Sequence, residues 1–338
     1  MQTYAAIDLH SNNGVLTIID ETDRTLKQRR IPNRLDEFVR ELEPFRAGLQ
    51  GVAVESTFNW YWLVDGLEAN RFPVTLVNTA AIQQYEGLKR SDDQYDAWWL
   101  AHMMRLGILP KGHIYPRKDR AIRDLLRKRG TLVQQRTANI LSIQNLEARN
   151  RGTKISAKEV KHLTDARIAE WYEDEHLGLA LSSTVAVIDT ITEQVNRIET
   201  VVLAKARLRP QWETILTVWG IGKILGLTIM YEAGEMTRFA TPGDFASYCR
   251  CVDAQRLSNG KKKGDNNAKN GNAYLAWAFS EAAHFAVQHY PEAKRFYDRK
   301  AAKTKPIVAI KALAHKLARA SFHVLRDQTP FDPKKVFV

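Results

Sequence analysis

The feature that most constrains the fold is a change in the spacing of apolar residues near position 117. Before it they come in short β-branched runs, TYAAIDLH, VLTIIDE, GVAVEST and PVTLVN, interrupted by turn-forming stretches such as SNNG, which is how strands are written in a sequence. After it they recur every three or four residues: Ile122, Leu125, Leu126, Leu132, Val133 and Ile140, and again Val185, Ile188, Val195, Ile198 and Val202. That spacing predicts two long helices. With 338 residues the chain also exceeds what one hydrophobic core usually supports. The expected organisation is an α/β unit over residues 1–116, a helical middle over 117–205 and a mostly helical unit over 206–338.

The first unit can be read further. TLKQRRIP supplies a third strand, and Asn33 is placed to cap a helix through LDEFVRELEPF. GVAVEST, a helix around WYWLVDGLEA and PVTLVN continue the alternation of strand and helix. Three antiparallel strands followed by strand-helix-strand units is the order of a ribonuclease-H-like fold, whose mixed sheet is covered on both faces. In the middle region the stripes have the spacing of a coiled-coil seam, so an antiparallel pair that also mediates self-association is expected; a stripe packed only within its own chain fits equally well. The last helices are alanine-rich, as in AYLAWAFSEAAHFAVQ, and TPFDPKKVFV reads as an ordered or partner-docking tail.

Charge narrows the partners. The formal net charge is +12. Residues 1–116 hold 12 Lys+Arg against 15 Asp+Glu, residues 117–205 hold 16 against 12, and residues 206–338 hold 22 against 11. A surplus concentrated in the last third points to a dedicated polyanion surface there, with nucleic acid ahead of an anionic membrane. Cys249 and Cys251 are too close for an ordinary disulfide and too few for structural zinc, so both read as core or incidental thiols. MQTYAAIDLH has no basic region followed by a long apolar run, and no stretch reaches the roughly 20 apolar residues of a membrane span, so a cytoplasmic protein is expected.

Four acids carry the candidate chemistry. Asp8 stands in an apolar strand, where an ionised side chain is costly unless it is paired or metal-bound. Glu55 repeats the oddity at the end of GVAVEST. In SDDQYDAWWLA, Asp93 and Asp96 stand three apart at a helix start and share a face, whereas Asp92 points elsewhere. In the expected fold these four converge, and carboxylates so close repel one another unless cations intervene. The cluster therefore argues for two divalent ions, magnesium above all, which about 4 Å apart can serve phosphoryl transfer. Alone, a strand-end Asp is ordinarily a turn cap and an acidic pair at a helix start ordinarily favourable dipole chemistry; order and spacing together carry the reading.

A second constellation lies in RLSNGKKKGDNNAKNGNAYLAWAF. It places Ser258 in a Gly/Asn-rich basic loop with Arg256, Lys261, Lys262, Lys263 and Lys269. Gly260, Gly264 and Gly271 would let the backbone approach a phosphate, and the lysines would balance developing charge. Such a loop suits a serine that attacks a phosphodiester. It equally suits a basic loop that only grips a backbone, with Ser258 as a turn residue. Upstream, GIGK ending at Lys223 opens a helix whose N–H groups could face phosphate.

In this order the motifs resemble those of DEDD transposases of bacterial insertion sequences, the insertion sequence 110 family and its 1111 branch. The resemblance spans nearly the whole chain: IDLH, VEST, DDQYDA, the long helical middle, WGIGKILGLTIMYEAGEMTRF, then LSNGKKKG and KNGNAYLAWA. It implies a RuvC-like domain holding magnesium through Asp8, Glu55, Asp93 and Asp96, and a C-terminal transposase domain supplying Ser258. It also implies a nucleoid-associated enzyme guided by a noncoding RNA of the element, acting on donor and target DNA through a serine-linked strand in an assembly between dimer and tetramer. Here Asn259 separates Ser258 from Gly260 where many relatives have Ser-Gly, which leaves the nucleophile open. The competing readings are a metal-dependent junction nuclease in which Ser258 only binds DNA, a sugar-kinase-like ATPase, whose Asp-x-Gly turn is replaced by Asp8-Leu9-His10, and a noncatalytic nucleic-acid scaffold.

Overall fold

A computed structural model describes residues 1–82, 92–207, 209–253, 255–265 and 270–337. The chain divides into two compact units, Met1–Tyr115 and Pro116–Val338.

The first unit is built on a five-stranded mixed sheet in the order β3-β2-β1-β4-β5. Strands β1 (Thr3–Leu9), β2 (Asn13–Asp20) and β3 (Thr25–Pro32) form an antiparallel meander; β4 (Leu49–Glu55) runs parallel to β1, and β5 (Val74–Val77) parallel to β4. This is the strand order expected of a ribonuclease-H-like sheet. Helices α1 (Leu35–Leu42) and α2 (Tyr61–Ala69) connect the strands, and α3 (Asp93–Arg105) follows them.

The alternation of strand side chains decides which residues meet which helix. Ala5, Ile7 and Leu9 of β1 and Val52 and Val54 of β4 share a core with Phe38 and Leu42 of α1 and Leu63, Val64 and Leu67 of α2. Ala6 and Ala53, on the opposite face, pack with Leu100, Ala101 and Met103 of α3. Small residues here let α3 lie close to the sheet. At Gly51 a Cβ would come within 2.9 Å of Met104 Sδ. Two positions beyond Ala6 and Ala53 come Asp8 and Glu55, so the same alternation turns both acids toward the α3 face. One expected cap is corrected: Arg34 is the N-cap residue of α1 and makes no side-chain capping bond. The Asn33 amide instead donates to the His10 carbonyl at 3.1 Å, because at one residue before the cap it lies beside the end of β1.

The second unit is helical apart from one hairpin among the described residues. Helices α4 (Arg117–Arg151) and α7 (Glu175–Ala206) are joined through α5 (Ala157–Val160) and α6 (Asp165–Trp171). Arg129 bonds Glu199 and Arg136 bonds Thr192, so one helix descends as the other rises and the pair is antiparallel. Its outer end encloses a small core of Ile140, Ile143, Leu181, Val185 and Ile188 with residues of α5 and α6. The other end contributes Leu126, Val202 and Ala206 to a larger core. Residue 205 therefore falls within α7, where the helix enters a second core of the same compact unit.

The larger core is made by α8 (Gln211–Ile215), α9 (Lys223–Ala233), α10 (Pro242–Tyr248), α11 (Ala273–His289), α12 (Pro291–Ala301) and α13 (Pro306–Asp327). Phe245, Phe279 and Phe322 are fully buried in it, each contributing about 2–3 kcal/mol by removal from water. Gly220 is required by close approach: its φ is +78° and a Cβ would come 2.0 Å from the Ala282 carbonyl oxygen. Strands β6 (Gln255–Ser258) and β7 (Lys261–Asp265) form the hairpin between α10 and α11. The tail is ordered on its own unit, with Phe337 stacked on Trp219 and the Val336 carbonyl accepting from Lys316. Cys249 is buried, Cys251 half-buried, and both are free thiols. No described helix is long and apolar enough to cross a membrane.

Candidate active site

Asp8, Glu55, Asp93 and Asp96 are brought together at the C-terminal ends of the parallel strands β1 and β4, under the first turn of α3. Asp92 is the N-cap of that helix and accepts from the Tyr95 backbone N–H at 2.8 Å, which fixes where the helix starts and puts Asp93 and Asp96 in its first turn. The far end of α3 is anchored as well. Asp23, in the β2–β3 turn, accepts from Arg105 Nε and Nη2 at 2.6 and 2.5 Å and lies 2.8 Å from His102 Nδ1.

The electrostatics of the four acids are uneven. Asp8 is buried. Glu55 is pushed up to about 8, first by burial, then by its hydrogen bond to Asp8 and the charges of Asp8 and Asp96, against one backbone N–H from Leu9. Asp96 is also raised, by burial and by the charges of Asp8, Asp93 and Asp92, with His10 opposing. Asp93 moves the other way, held down chiefly by the hydrogen bond from Arg30 at 2.6 Å and by the charges of His10 and Arg30, although burial opposes. Three acids thus crowd into a partly dry pocket while the fourth faces the Arg30 guanidinium and the His10 ring. A donor set that keeps a proton on Glu55 for want of positive charge fits divalent cations, and Asp8, Glu55, Asp93 and Asp96 are the residues that could hold them.

His10 was missed in the sequence. Its Nε2 lies 3.3 Å from Asp8 Oδ2 and 3.2 Å from Asp93 Oδ2, and one donor atom from each of these three residues lies within 4.8 Å of the others. The signal was available in Asp8-Leu9-His10: residues two apart at a strand end share a face.

In the second unit Ser258 is exposed and ends β6, opposite Lys261. Between them Asn259 and Gly260 have φ of 49° and 71°, the pair of positive values that a two-residue type I′ turn demands and that Asn-Gly supplies most readily. The stretch expected as a loop is therefore a register-defined hairpin, and Asn259 is there for the turn. Lys263 is the extra residue of a bulge, since Leu257 pairs with Lys262 and Arg256 with Gly264. Lys261 and Lys263 are exposed; Arg256 and Lys262 lie on the two strands, and Lys269 is outside the described residues. Gly260 and Gly264 face open space, whereas a Cβ on Gly271 would come 2.5 Å from the Tyr248 carbonyl oxygen. Gly271 is thus needed for packing, not for approach to a phosphate. Lys223 is exposed at the first position of α9, behind Gly222.

The base of this hairpin rests on a charge network that sequence reasoning also missed. Glu232, buried in α9, accepts from Arg123 at 2.9 Å, from Arg127 at 2.6 and 2.8 Å, and from Asn272 Nδ2 at 2.7 Å. Burial would raise this carboxyl, but the Arg127 hydrogen bond and the two guanidinium charges hold it below its ordinary value. Asn272 caps α11 at the same time, accepting from the backbone of Tyr274 and Leu275, and its own N–H bonds the Tyr248 carbonyl at 2.6 Å. Arg250 donates to the Gly271 carbonyl at 2.9 Å. Both stems of the hairpin are tied to each other and, through Asn272 and Glu232, to α4.

Two family models match the chain. One, for the DEDD transposases of IS110 elements and described as Transposase, covers residues 5–146; the other, described as Transposase IS116/IS110/IS902 family, covers residues 213–298. Among curated proteins, a "Probable family 20 transposase" of Pseudomonas aeruginosa is 22% identical over 332 residues, 93% of this chain and 94% of that protein. The "Insertion element IS110 uncharacterized 43.6 kDa protein" of Streptomyces coelicolor is 23% identical over 159 residues, 47% of this chain and 39% of that one. The first model takes in all four acids, and the second takes in Ser258 and Glu232.

Proposed function

Since the chain belongs to the IS110-family DEDD transposases and is thus a DNA transposase, we propose that it excises and inserts an insertion sequence through a DNA strand linked to Ser258, under the guidance of a noncoding RNA. The observation that carries the chemistry is the convergence of Asp8, Glu55, Asp93 and Asp96 with too little positive charge to ionise them all. In this reading residues 1–116 are a RuvC-like domain that binds two magnesium ions through those acids, residues 117–205 a coiled-coil oligomerisation region, and residues 206–338 the transposase domain. Bound there, the ions would polarise the scissile phosphate and stabilise the leaving oxygen.

The protein's own groups have distinct tasks. Arg30 orients Asp93 from outside the cluster, and α3, fixed at both ends, keeps Asp93 and Asp96 over the ends of β1 and β4. Ser258 Oγ attacks phosphorus and displaces one deoxyribose oxygen; the reverse attack by another strand's oxygen rejoins the chain and frees the serine. Lys261, opposite the serine, offsets charge on the phosphate, and Arg256, Lys262, Lys263, Lys269 and Lys223 hold the DNA or RNA backbone. Self-association into a dimer or tetramer is supported by Val187 and Val201, exposed two heptads apart on α7. The guide RNA and a cytoplasmic, nucleoid-associated setting rest on the family resemblance and the basic last third.

The test is a covalent trap. With donor DNA the wild type should give a protein–DNA adduct that survives denaturant, and Ser258→Ala should lose both adduct and recombination while binding DNA and RNA as before. Recombination by the Ala variant would reject the serine link. Hydrolytic cutting that persists in Ser258→Ala but stops in Asp8→Asn would instead identify a junction nuclease in which Ser258 only binds DNA. Sequencing RNA that copurifies with the protein tests the guide.

A further inference from the structure

The acid cluster contains a nitrogen donor that the four-carboxylate pattern does not include. We propose that His10 is a ligand of the divalent cation held by Asp8 and Asp93, and that it tunes the site toward borderline ions such as manganese and cobalt over magnesium. The inference rests on the reading of the cluster as a metal site.

Three observations support it. First, the spacing fits: donor atoms on adjacent positions of a six-coordinate ion, each about 2.1 Å from it, are about 3.0 Å apart, and Nε2 stands 3.2 and 3.3 Å from one oxygen of each aspartate. Second, Nε2 is buried and makes no aligned hydrogen bond; it is near two carboxylate oxygens without being committed to either. Third, both backbone polar groups of His10 are hydrogen-bonded. Its carbonyl accepts from the amides of Asn33 at 3.1 Å and Asn59 at 2.9 Å, and its N–H donates to the Asn13 carbonyl at 2.8 Å. Two side-chain amides directed to one carbonyl fix the residue that follows β1, as supports behind a ligand do. Arg30 bonds the same Asp93 oxygen that faces His10, at 2.6 Å, and so holds that carboxylate in place.

The other role available to this histidine is a counter-cation that lowers repulsion between Asp8 and Asp93. The two roles predict opposite signs. A counter-cation competes with the metal, so its removal tightens binding; a ligand's removal weakens it. Imidazole also discriminates among ions, because nitrogen donors add much to the affinity of transition metals and little to that of magnesium.

The experiment titrates the metal-free full chain with Co2+, Mn2+ and Mg2+ alone, by calorimetry and, for cobalt, by its ligand-field absorption. Wild type, His10→Ala, His10→Gln and Asp8→Asn are compared after circular dichroism has shown which variants fold; His10→Gln, which keeps a polar side chain of similar reach, serves if the alanine variant does not. The expected result is at least about a tenfold loss of cobalt and manganese affinity in the His10 variants, a smaller loss for magnesium, and a shifted cobalt spectrum. Equal or tighter binding of all three ions with an unchanged cobalt spectrum would overturn the proposal. If Asp8→Asn abolishes binding while the His10 variants leave it intact, this inference alone fails. If wild type binds none of the ions, or Asp8→Asn binds them as well as wild type does, the metal-site reading itself fails.

Discussion

Glu55 and Glu232 are both carboxylates withdrawn from solvent, and the protein treats them in opposite ways. Glu232 meets two guanidiniums and an amide, and its carboxyl is held below the ordinary value in spite of burial. Glu55 meets two more acids, and its carboxyl is pushed up to about 8. Burying a charge costs several kcal/mol unless partners compensate it. In the second unit the chain supplies the compensation itself; in the first it does not, although Arg30 shows that an arginine can reach the neighbouring Asp93. The difference separates a closed structural network from a pocket that is completed from outside.

The largest effect that could break this contrast is on activity. Asp8→Asn and Asp96→Asn should each lower strand exchange at least about a hundredfold while leaving the melting temperature of the metal-free protein unchanged or higher. A normal rate would return the acids to a structural role. Next is stability in the second unit. Glu232→Gln removes the buried charge that Arg123 and Arg127 bond and should cost about 3–5 kcal/mol, read from denaturant unfolding, whereas Glu55→Gln should cost nothing without metal. Equal losses in the two variants would erase the distinction.

The pH dependence should carry opposite signs. Because Glu55 has a folded value of about 8 against the ordinary carboxyl value of 4.5, the folded state retains a proton that the unfolded chain has lost. Stability of the metal-free protein then falls as pH rises between those values, and Glu55→Gln flattens that slope. Glu232, shifted down, contributes stability that is present above the unfolded value and lost as pH falls through the folded one. Saturating magnesium should therefore raise the melting temperature more at pH 8 than at pH 5, since binding needs the Glu55 proton released. The smallest expected effect is at Asp93, the most exposed of the four: Asp93→Asn should change metal-free stability by no more than about 1 kcal/mol, measured by the same unfolding curves.

Much of this was legible in the chain. The succession of short β-branched runs and helices carried the strand order, and the period of two along TYAAIDLH and GVAVEST made Asp8 and Glu55 stand out as acids in apolar strands, because such alternation is a local property; that the two share a face depends on the register of β1 with β4. The Asp93 and Asp96 pair followed from helical spacing in the same way. His10 escaped because it stands just past the last residue of β1, where an ionisable side chain reads as ordinary turn chemistry. The cap assigned to Asn33 was wrong because its amide is drawn to the His10 carbonyl, a partner 23 residues away that spacing cannot show. Glu232 was the avoidable omission: a lone acid in GLTIMYEAG is the same oddity that singled out Asp8, but its partners Arg123 and Arg127 lie more than 100 residues upstream. The I′ turn was readable in Asn259-Gly260, although the surrounding glycines and lysines suggested a loop.

The most direct measurement of whether the acid pocket is completed by an external cation is the proton balance of magnesium binding. Metal-free protein would be titrated with magnesium chloride at pH 7 by calorimetry in two buffers of different ionisation enthalpy. The expected result is saturable binding with release of up to about one proton per chain, the release disappearing in Glu55→Gln and the binding in Asp8→Asn. Absence of saturable binding, or binding in both variants with the wild-type proton balance, would contradict it.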